Sequence, residues 1–395
     1  MKRLLKSRPM RQRLGLALIA LAVLIGLLFY HLGSLPKGLS SEEVSAAQTA
    51  YGWHGIIAHP LNLPLELLRS LVFQLSPSHG QFLTRLPNAC FGVLAIIAFG
   101  WLLRWWHGTR TALFTTALFA CAAWTLHVSR LASNDVLYLW GVPTLLLLHV
   151  ILQRPDKPKP WVQYGSLALW GLLLYIPGMV WFVLLELWQL RSSIAGSWKH
   201  FHLWWQRTLY VLTGLIWLPL LVIDLTRSEE WRHWLGLSNH WPNIMHYLRE
   251  VGVVIGHLFV RGPNSPTLWL GRAPLLDVFT LVVSALGLYF YVRHWRSGRS
   301  RLLASYLAIG ILLVAIGGAV SLSVLVPILY LAAGTGMAYL LHEWLQVFPF
   351  NPLARALGLG LVIAAIALSC IYNIRAYFVA WGYNPDTVQQ FRFHR

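Results

Sequence analysis

The feature that most constrains this chain is a series of long apolar runs joined by short basic connections. A helix that crosses the hydrocarbon core of a bilayer needs about 20 apolar residues. The first such run, Leu14–Leu32, follows a strongly basic terminus. Of the 395 residues, 57% are hydrophobic and only 11% are charged, whereas an average soluble domain carries roughly 25% charged residues. These values exclude a water-soluble enzyme and a disordered protein, and they predict an all-α integral membrane protein.

Ten further apolar runs are candidate spans, which gives eleven transmembrane helices in total. They are Leu86–Trp106, Arg110–Val128, Val136–Leu152, Val162–Tyr175, Val180–Leu190, Leu209–Leu225, Leu276–Val292, Leu302–Ala319, Leu322–Leu341 and Ala356–Ile374. The stretch that contains Pro177 and Gly178 is either a short hairpin of two spans or one broken helix. We favour two spans, because a Pro-Gly pair ends helices.

The distribution of basic residues predicts the orientation of the chain. Cytoplasmic connections of membrane proteins carry an excess of Lys and Arg. The sequence agrees with this rule when the N-terminus is in the cytoplasm and the C-terminus is outside. The net charge of +18 is then explained by membrane topology, and nucleic acid is not an expected partner. The predicted segments are a cytoplasmic N-terminus (1–13), one polytopic domain (14–395) and, within it, two outer loops (33–85 and 226–277). Short interfacial helices are expected in the first loop at Val44–Gly52 and Leu61–Phe73.

Acidic residues are concentrated at the predicted outer face. A charge inside a membrane is costly, and only Asp156, Glu186 and Glu343 fall at or near the cytoplasmic side. The densest acidic segment is Gly38-Leu-Ser-Ser-Glu42-Glu43, directly after the first span. Its local interpretation is a helix start capped by Ser40 or Ser41, with two glutamates near the positive helix end. Its functional interpretation is a rigidly held catalytic carboxylate, and the two interpretations are compatible.

Three basic residues at the same face are candidate ligands of an anion. His59 precedes a proline-punctuated segment, Arg85 begins the second span, and Arg130 follows the third. The structural interpretation is a loop at the membrane surface for His59 and an arginine at the membrane interface for Arg85 and Arg130. The functional interpretation is a phosphate site, because the guanidinium fork matches phosphate oxygens.

No metal site is predicted. The spacing of His54, His59 and His79 is not a recognised ligand pattern. The three cysteines, Cys90, Cys121 and Cys370, lie in apolar runs and are interpreted as packing residues.

The order of these motifs resembles a known family of enzymes. A basic terminus and one span are followed by Gly-Leu-x-x-acid-acid, by His-Pro-Leu at His59, by Arg-Leu-Pro at Arg85 and by Ser-Arg at Arg130. This arrangement resembles the membrane glycosyltransferases of the C superfold. It is most similar to family 39, the protein mannosyltransferase and aminoarabinose transferase group, and the informative motifs lie in about the first 135 residues.

The resemblance implies an inverting transfer of a sugar from a polyprenyl-phosphate carrier at the outer membrane face. It places the catalytic acidic pair at Glu42 and Glu43, and donor phosphate contacts at Arg85, Arg130 and His59. The family usually has Asp where this chain has Glu42, and the aminoarabinose branch has Lys where it has His59. No cofactor is required, and a divalent metal is compatible with the reaction. The implied partners are the lipid-linked donor, the bilayer, and a protein, glycolipid or polysaccharide acceptor.

Two other functions remain open from the sequence. A transporter or flippase of lipid-linked sugars would use a similar basic rim and apolar groove, although such proteins often show inverted repeats and midplane polar residues that are not evident here. A non-catalytic membrane protein of envelope assembly is the second alternative. The compact chain favours a bacterial plasma membrane.

Overall fold

The computed structural model describes residues 8–49, 60–76, 80–153, 160–200, 204–218, 220, 230–265, 267 and 272–391. Their α-helices are α1 (Arg8–Phe29), α2 (Ser41–Thr49), α3 (Leu63–Leu75), α4 (Gln81–His107), α5 (Thr109–Cys121), α6 (Ala123–Arg130), α7 (Val136–Leu152), α8 (Pro160–Leu173), α9 (Met179–His200), α10 (Trp204–Gly214), α11 (Glu230–Trp234), α12 (Ile244–Phe259), α13 (Val278–Arg293), α14 (Gly298–Ala315), α15 (Val326–Val347), α16 (Pro352–Arg375) and α17 (Pro385–Gln390). Short 3₁₀ turns precede α15 and follow α10, and a π-helical segment, Ala376–Trp381, continues α16.

The described helices include several that suit a bilayer. Four stretches are long and apolar enough to cross a membrane, and they are Gln81–His107, Gly298–Ala315, Leu322–Val347 and Pro352–Trp381. The pair α5 and α6 meets the same test when taken together, although it is bent by 60°. Ile19–Phe29, α7 and α13 are shorter apolar helices. The all-α membrane class is confirmed, and the total of eleven spans stays a prediction.

The centre of the bundle is built on helices that are apolar on most of their circumference. Helix α4 packs against α5, α6 and α7, and α13 packs along α15. The last pair approaches closely because glycines face the partner backbone. A Cβ atom on Gly287 would collide with the carbonyl of Ala332, and one on Gly336 would collide with the carbonyl of Val283. Small residues of this kind allow membrane helices to pack backbone against backbone.

The predicted break after the fifth span is confirmed. Helix α8 ends at Leu173 and α9 begins at Met179, with Pro177 and Gly178 in the turn between them. Gly178 has φ 73°, which a residue with a Cβ atom rarely adopts. Its backbone N–H donates to the carbonyl of Trp234 at 2.8 Å, which fixes the turn against α11.

The expected span Arg110–Val128 is not one straight helix, because it bends between Cys121 and Ala123. The side chain of Asn373 stabilises the bend by accepting from the Ala123 N–H at 3.1 Å and donating to Asp277 at 3.0 Å. The sequence offers no proline or glycine at this point, so the break depends on a residue that is 250 positions away. The bend redirects α6 and the loop that follows it.

The predicted helices of the first loop are present with shifted ends. Val44–Gly52 corresponds to α2, which begins earlier at Ser41, and Leu61–Phe73 corresponds to α3. Their helical state is confirmed for residues 44–49 and 63–73, whereas residues 50–52 lie outside the described residues. The position of both helices at a membrane interface stays a prediction.

Candidate functional site

The acidic segment begins α2 with a capping box. The backbone N–H of Glu43 donates to Ser40 Oγ at 3.2 Å, and the backbone N–H of Ser40 donates to Glu43 Oε2 at 3.0 Å. This reciprocal pair satisfies two backbone donors at the helix start. The two glutamates therefore point to different places. Glu43 turns back into the protein and is 2% exposed, whereas Glu42 is exposed.

Glu43 is saturated by four hydrogen bonds. Besides Ser40, it accepts from Arg85 Nε at 2.8 Å, from Arg85 Nη2 at 3.0 Å and from the backbone N–H of Ala132 at 3.0 Å. Such a buried charge is tolerated when it is paired and its oxygens are satisfied. Glu43 therefore links the start of α2 to α4 and to the loop after α6.

Arg85 uses all five of its N–H donors within the chain. The bonds that do not reach Glu43 go to the carbonyls of Leu32, Pro36 and Gly38. Gly38 has φ 98°, and this left-handed turn presents its carbonyl to the guanidinium at 2.7 Å. Arg85 is fully buried. The guanidinium thus holds Glu43 and the 32–38 turn in place, and the predicted phosphate contact is not tested by these bonds.

A second buried arginine, Arg69 of α3, holds the same loop from the other side, and sequence reasoning missed it. Its Nη2 donates to the carbonyl of Ala132 at 3.0 Å and to Asn88 Oδ1 at 3.2 Å. Its Nη1 donates to Glu66 Oε1 at 2.6 Å and to Asn134 Oδ1 at 3.0 Å. The available signal was the Glu66–Arg69 pair at i,i+3 on an otherwise apolar helix. Ala132 is therefore fixed through its N–H by Glu43 and through its carbonyl by Arg69.

A cavity of about 360 Å³ lies between α2 and this loop. Its volume is within the range of about 300–1,000 Å³ that is typical of small-molecule sites. The residues that line it include Glu42, Asp135, Trp124, His127 and Phe391. Glu42 has no hydrogen-bond or ion-pair partner among the residues that the structure describes. It is the carboxylate of the acidic pair that can meet a ligand.

Asp135 is the second acid of the cavity, and the sequence analysis gave it no role. It lies at the start of α7, and its carboxylate accepts from Ser323 Oγ at 3.4 Å. Its pKa is raised to about 6, chiefly by burial and also by the Glu42 charge, while hydrogen bonds from the Ser321 and Ser323 hydroxyls oppose the rise. A perturbed carboxyl in a cleft is a common mark of a functional site.

Arg130 lies behind the cavity, where it is fully buried. Its Nη1 donates to the last carbonyls of α1, those of Leu27 at 3.1 Å and Leu28 at 2.8 Å. Its Nε donates to the hydroxyl of Tyr377 at 3.2 Å, and its Cζ lies 4.7 Å from the ring centre of Phe378. Nη2 has no hydrogen-bond partner in the described part of the chain. Arg130 thus caps α1 through Nη1, and its contact with a donor phosphate stays a prediction.

The structure does not test the predicted phosphate contact of His59. His54, His59 and His79 lie outside the described residues. The described ranges contain no group of three or more His, Cys, Asp or Glu side chains that could hold a metal ion.

Comparison with solved structures decides the fold. ArnT from Cupriavidus metallidurans in the apo state superposes with TM-score 0.55 at 15% identity, over 96% of this chain and 75% of that one. The same protein bound to undecaprenyl phosphate gives 0.56 at 16% identity, over 95% and 77%. The chain has the glycosyltransferase C-type fold.

A more distant enzyme shares this fold. The archaeal oligosaccharyltransferase AglB from Archaeoglobus fulgidus, in complex with an inhibitory peptide and a dolichol-phosphate, gives TM-score 0.53 at 14% identity, over 93% of this chain and 56% of that one. No family model matches the chain, and no curated protein does. The chain is therefore a multi-pass helical membrane protein that resembles the C-superfold glycosyltransferases in structure.

Proposed function

We propose that this protein is an inverting glycosyltransferase that moves a sugar from a polyprenyl-phosphate carrier to an acceptor at the extracytoplasmic face of a bacterial plasma membrane. The observation that carries the proposal is the unpaired carboxylate of Glu42 in a cavity whose wall is fixed by the Glu43–Arg85 pair. The lipid phosphates bound by ArnT and AglB support a lipid-linked donor. Proteins that share a fold can act on different substrates, so the fold does not identify the sugar.

The reaction requires one proton transfer and one displacement. Glu42 removes the proton from the acceptor hydroxyl or amine. The acceptor oxygen or nitrogen then forms a bond to the anomeric carbon, and the bond between that carbon and the phosphate oxygen breaks. The electron pair leaves on the polyprenyl phosphate, which is already a good anionic leaving group. A single displacement inverts the anomeric centre.

The other residues of the site support this step. Ionised Asp135 stabilises positive charge that develops on the sugar ring in an oxocarbenium-like transition state. Arg130 and His59 contact the donor phosphate. Glu43 and Arg85 act indirectly, because they hold the loop that carries Asp135 at the distance and orientation that catalysis requires.

The mechanism requires no metal, although a divalent ion is compatible with it. A chelator such as EDTA is therefore expected to leave the transfer rate unchanged. The acceptor is a protein, a glycolipid or a polysaccharide, and the N-terminus lies in the cytoplasm with the C-terminus outside.

The test uses the full chain purified into nanodiscs. A panel of radiolabelled polyprenyl-phosphate sugars is mixed with crude envelope, and label transfer to acceptor is followed by extraction. Time-dependent transfer from at least one donor, with inversion at the anomeric carbon, supports the proposal. Donor binding without transfer, for every donor and acceptor fraction, contradicts it and favours a flippase or a non-catalytic envelope protein.

A further inference from the structure

Two of the three cysteines meet in the packed structure, although they are far apart in the sequence. Cys121 is the last residue of α5, and Cys370 lies near the end of α16. Their two thiols share a hydrogen bond. Cys90, the third cysteine, belongs to α4. The pair therefore arises from helix packing and not from a local motif.

Two contacts of α16 bracket Cys121 along the chain. The Cys370 Sγ lies 3.8 Å from the carbonyl oxygen of Ala117, and the Asn373 side chain accepts from the Ala123 N–H at 3.1 Å. Residue 121 lies between these two contact points. Side chains on a helix lean toward its N-terminus, so the side chain of Cys121 covers the turn that contains Ala117. The backbone thus directs the Cys121 thiol toward the Cys370 thiol.

The pair lies at the bend between α5 and α6, next to the cavity. Helix α6 begins two residues after Cys121, and its residues Trp124 and His127 line the cavity. On the other helix, Asn373 follows Cys370 by about one turn and donates to Asp277 at 3.0 Å. Both cysteines are only partly buried. The helices that carry the two thiols are therefore held together at this level, and a small reagent can reach the sulfur atoms.

We propose that Cys121 and Cys370 are an oxidation site, and that they form an intramolecular disulfide which joins the end of α5 to α16. The co-reactant is a second disulfide, either a small compound or a thiol oxidoreductase of the extracytoplasmic space, where protein disulfides persist. The disulfide fixes the bend from which α6 enters the cavity wall. This inference goes beyond the proposed transfer reaction and does not depend on it.

The chemistry is thiol–disulfide exchange in two steps. One of the two cysteines loses its proton, and its thiolate attacks a sulfur of the co-reactant. The co-reactant's S–S bond breaks, and one thiolate leaves and takes up a proton. The other cysteine then attacks the mixed disulfide in the same way and releases the second thiol. Cys121 and Cys370 are oxidised to one disulfide, and the co-reactant is reduced to two thiols.

The link is expected to stabilise the fold. It closes a loop of about 250 residues, and a crosslink across a long loop restricts the unfolded chain strongly. Because the two helices are already packed in the native state, the folded chain loses little freedom when the link forms. Oxidation should therefore raise the Tm by at least about 3 °C.

The test uses the full chain in nanodiscs, with Cys90→Ser as the parent so that only the pair can react. The reduced protein receives one molar equivalent of dithiodipyridine, a small aromatic disulfide that releases coloured thiopyridone. The expected result is release of both thiopyridones from each reagent molecule and a Cys121–Cys370 crosslinked peptide in mass spectrometry without reductant. The rise in Tm should reverse when a reductant is added.

The matched control adds Cys370→Ser to the parent. This chain should release one thiopyridone, keep the other pyridyl group on Cys121 and show no reductant-sensitive rise in Tm. The inference is overturned if the parent also keeps pyridyl groups on separate cysteines. It is equally overturned if both thiols stay unmodified in the native chain but react after denaturation in detergent, or if the link forms without a rise in Tm. No donor or acceptor is present, so none of these results bears on the transferase proposal.

Discussion

Two buried carboxylates, Glu43 at the start of α2 and Glu186 in α9, differ in their relation to the cavity. Glu43 pairs with an arginine and contacts a loop that lines a cavity. Glu186 of α9 lies fully buried between α7 and α14, where it hydrogen-bonds His149 Nδ1 at 2.6 Å and the Tyr306 hydroxyl at 2.5 Å. It is not among the cavity-lining residues that the structure describes.

The comparison teaches that burial of charge is not by itself a sign of chemistry. Both carboxylates are satisfied, and both join helices that are distant in sequence. The difference is that Glu43 is adjacent in the chain to Glu42, whose carboxylate is unpaired in the described part of the structure and faces the cavity. The paired acid holds the start of α2 in place, and the unpaired acid beside it is the one that we propose as the base.

The largest expected effect comes from Arg85→Met. This change leaves Glu43 buried without its cation, and breaking such a pair costs about 3–5 kcal/mol of unfolding free energy. The variant should accumulate poorly and transfer no sugar, as measured by denaturant unfolding and label transfer. Arg104→Met, an exposed arginine on the same helix, is the control and should stay within about 0.5 kcal/mol of the wild type. Equal stability of the two variants would contradict the assigned role of Arg85.

Glu186→Gln should have a smaller effect that is confined to stability. The amide keeps the shape of the side chain but weakens its charge-assisted hydrogen bonds, at a cost of about 1–3 kcal/mol. Transfer by the folded fraction should stay at the wild-type rate. Glu43→Gln, the matched change in the other region, should lower both stability and the turnover of the folded fraction. If Glu186→Gln instead reduced turnover as strongly as Glu43→Gln, the distinction between the regions would fail.

The smallest expected effect is the pH dependence that Asp135 introduces. Its pKa is raised from 3.8 to about 6 in the folded state. The folded protein therefore holds this proton more tightly, and the associated stability is present below pH 3.8 and is lost as pH rises through about 6. The transfer rate should rise as the pH increases through about 6, because Asp135 ionises there. Asp135→Asn should remove the pH dependence of both the stability and the transfer rate. If this variant keeps the inflection near pH 6, the inflection belongs to another group.

Much of the fold was predictable because its signals are local. Apolar length predicts the membrane class, Pro177-Gly178 predicts the break before α9, and a capping Ser40 or Ser41 before the two glutamates predicts the start of α2. The bend at Ala122 was not predictable, since it depends on Asn373 in a distant helix.

The site was predictable only in part. The acidic pair was found, but the sequence does not reveal that the helix start turns Glu43 inward and leaves Glu42 in the cavity. Arg85 was singled out as a phosphate contact because nothing local shows that three carbonyls of the 32–38 turn surround it. Arg69 and Asp135 gain their roles from the Ala132 loop, which forms only when α3, α4 and α6 have packed.

The central claim is that Glu42 is the base, and single-turnover transfer from pre-bound donor tests it most directly. Wild type and Glu42→Gln are loaded with the same lipid-linked sugar, donor affinity is measured first, and acceptor is then added. The account predicts that donor affinity changes by less than about threefold while the transfer rate falls by about 10²–10⁴-fold. Transfer by Glu42→Gln at the wild-type rate, from equally bound donor, would contradict it.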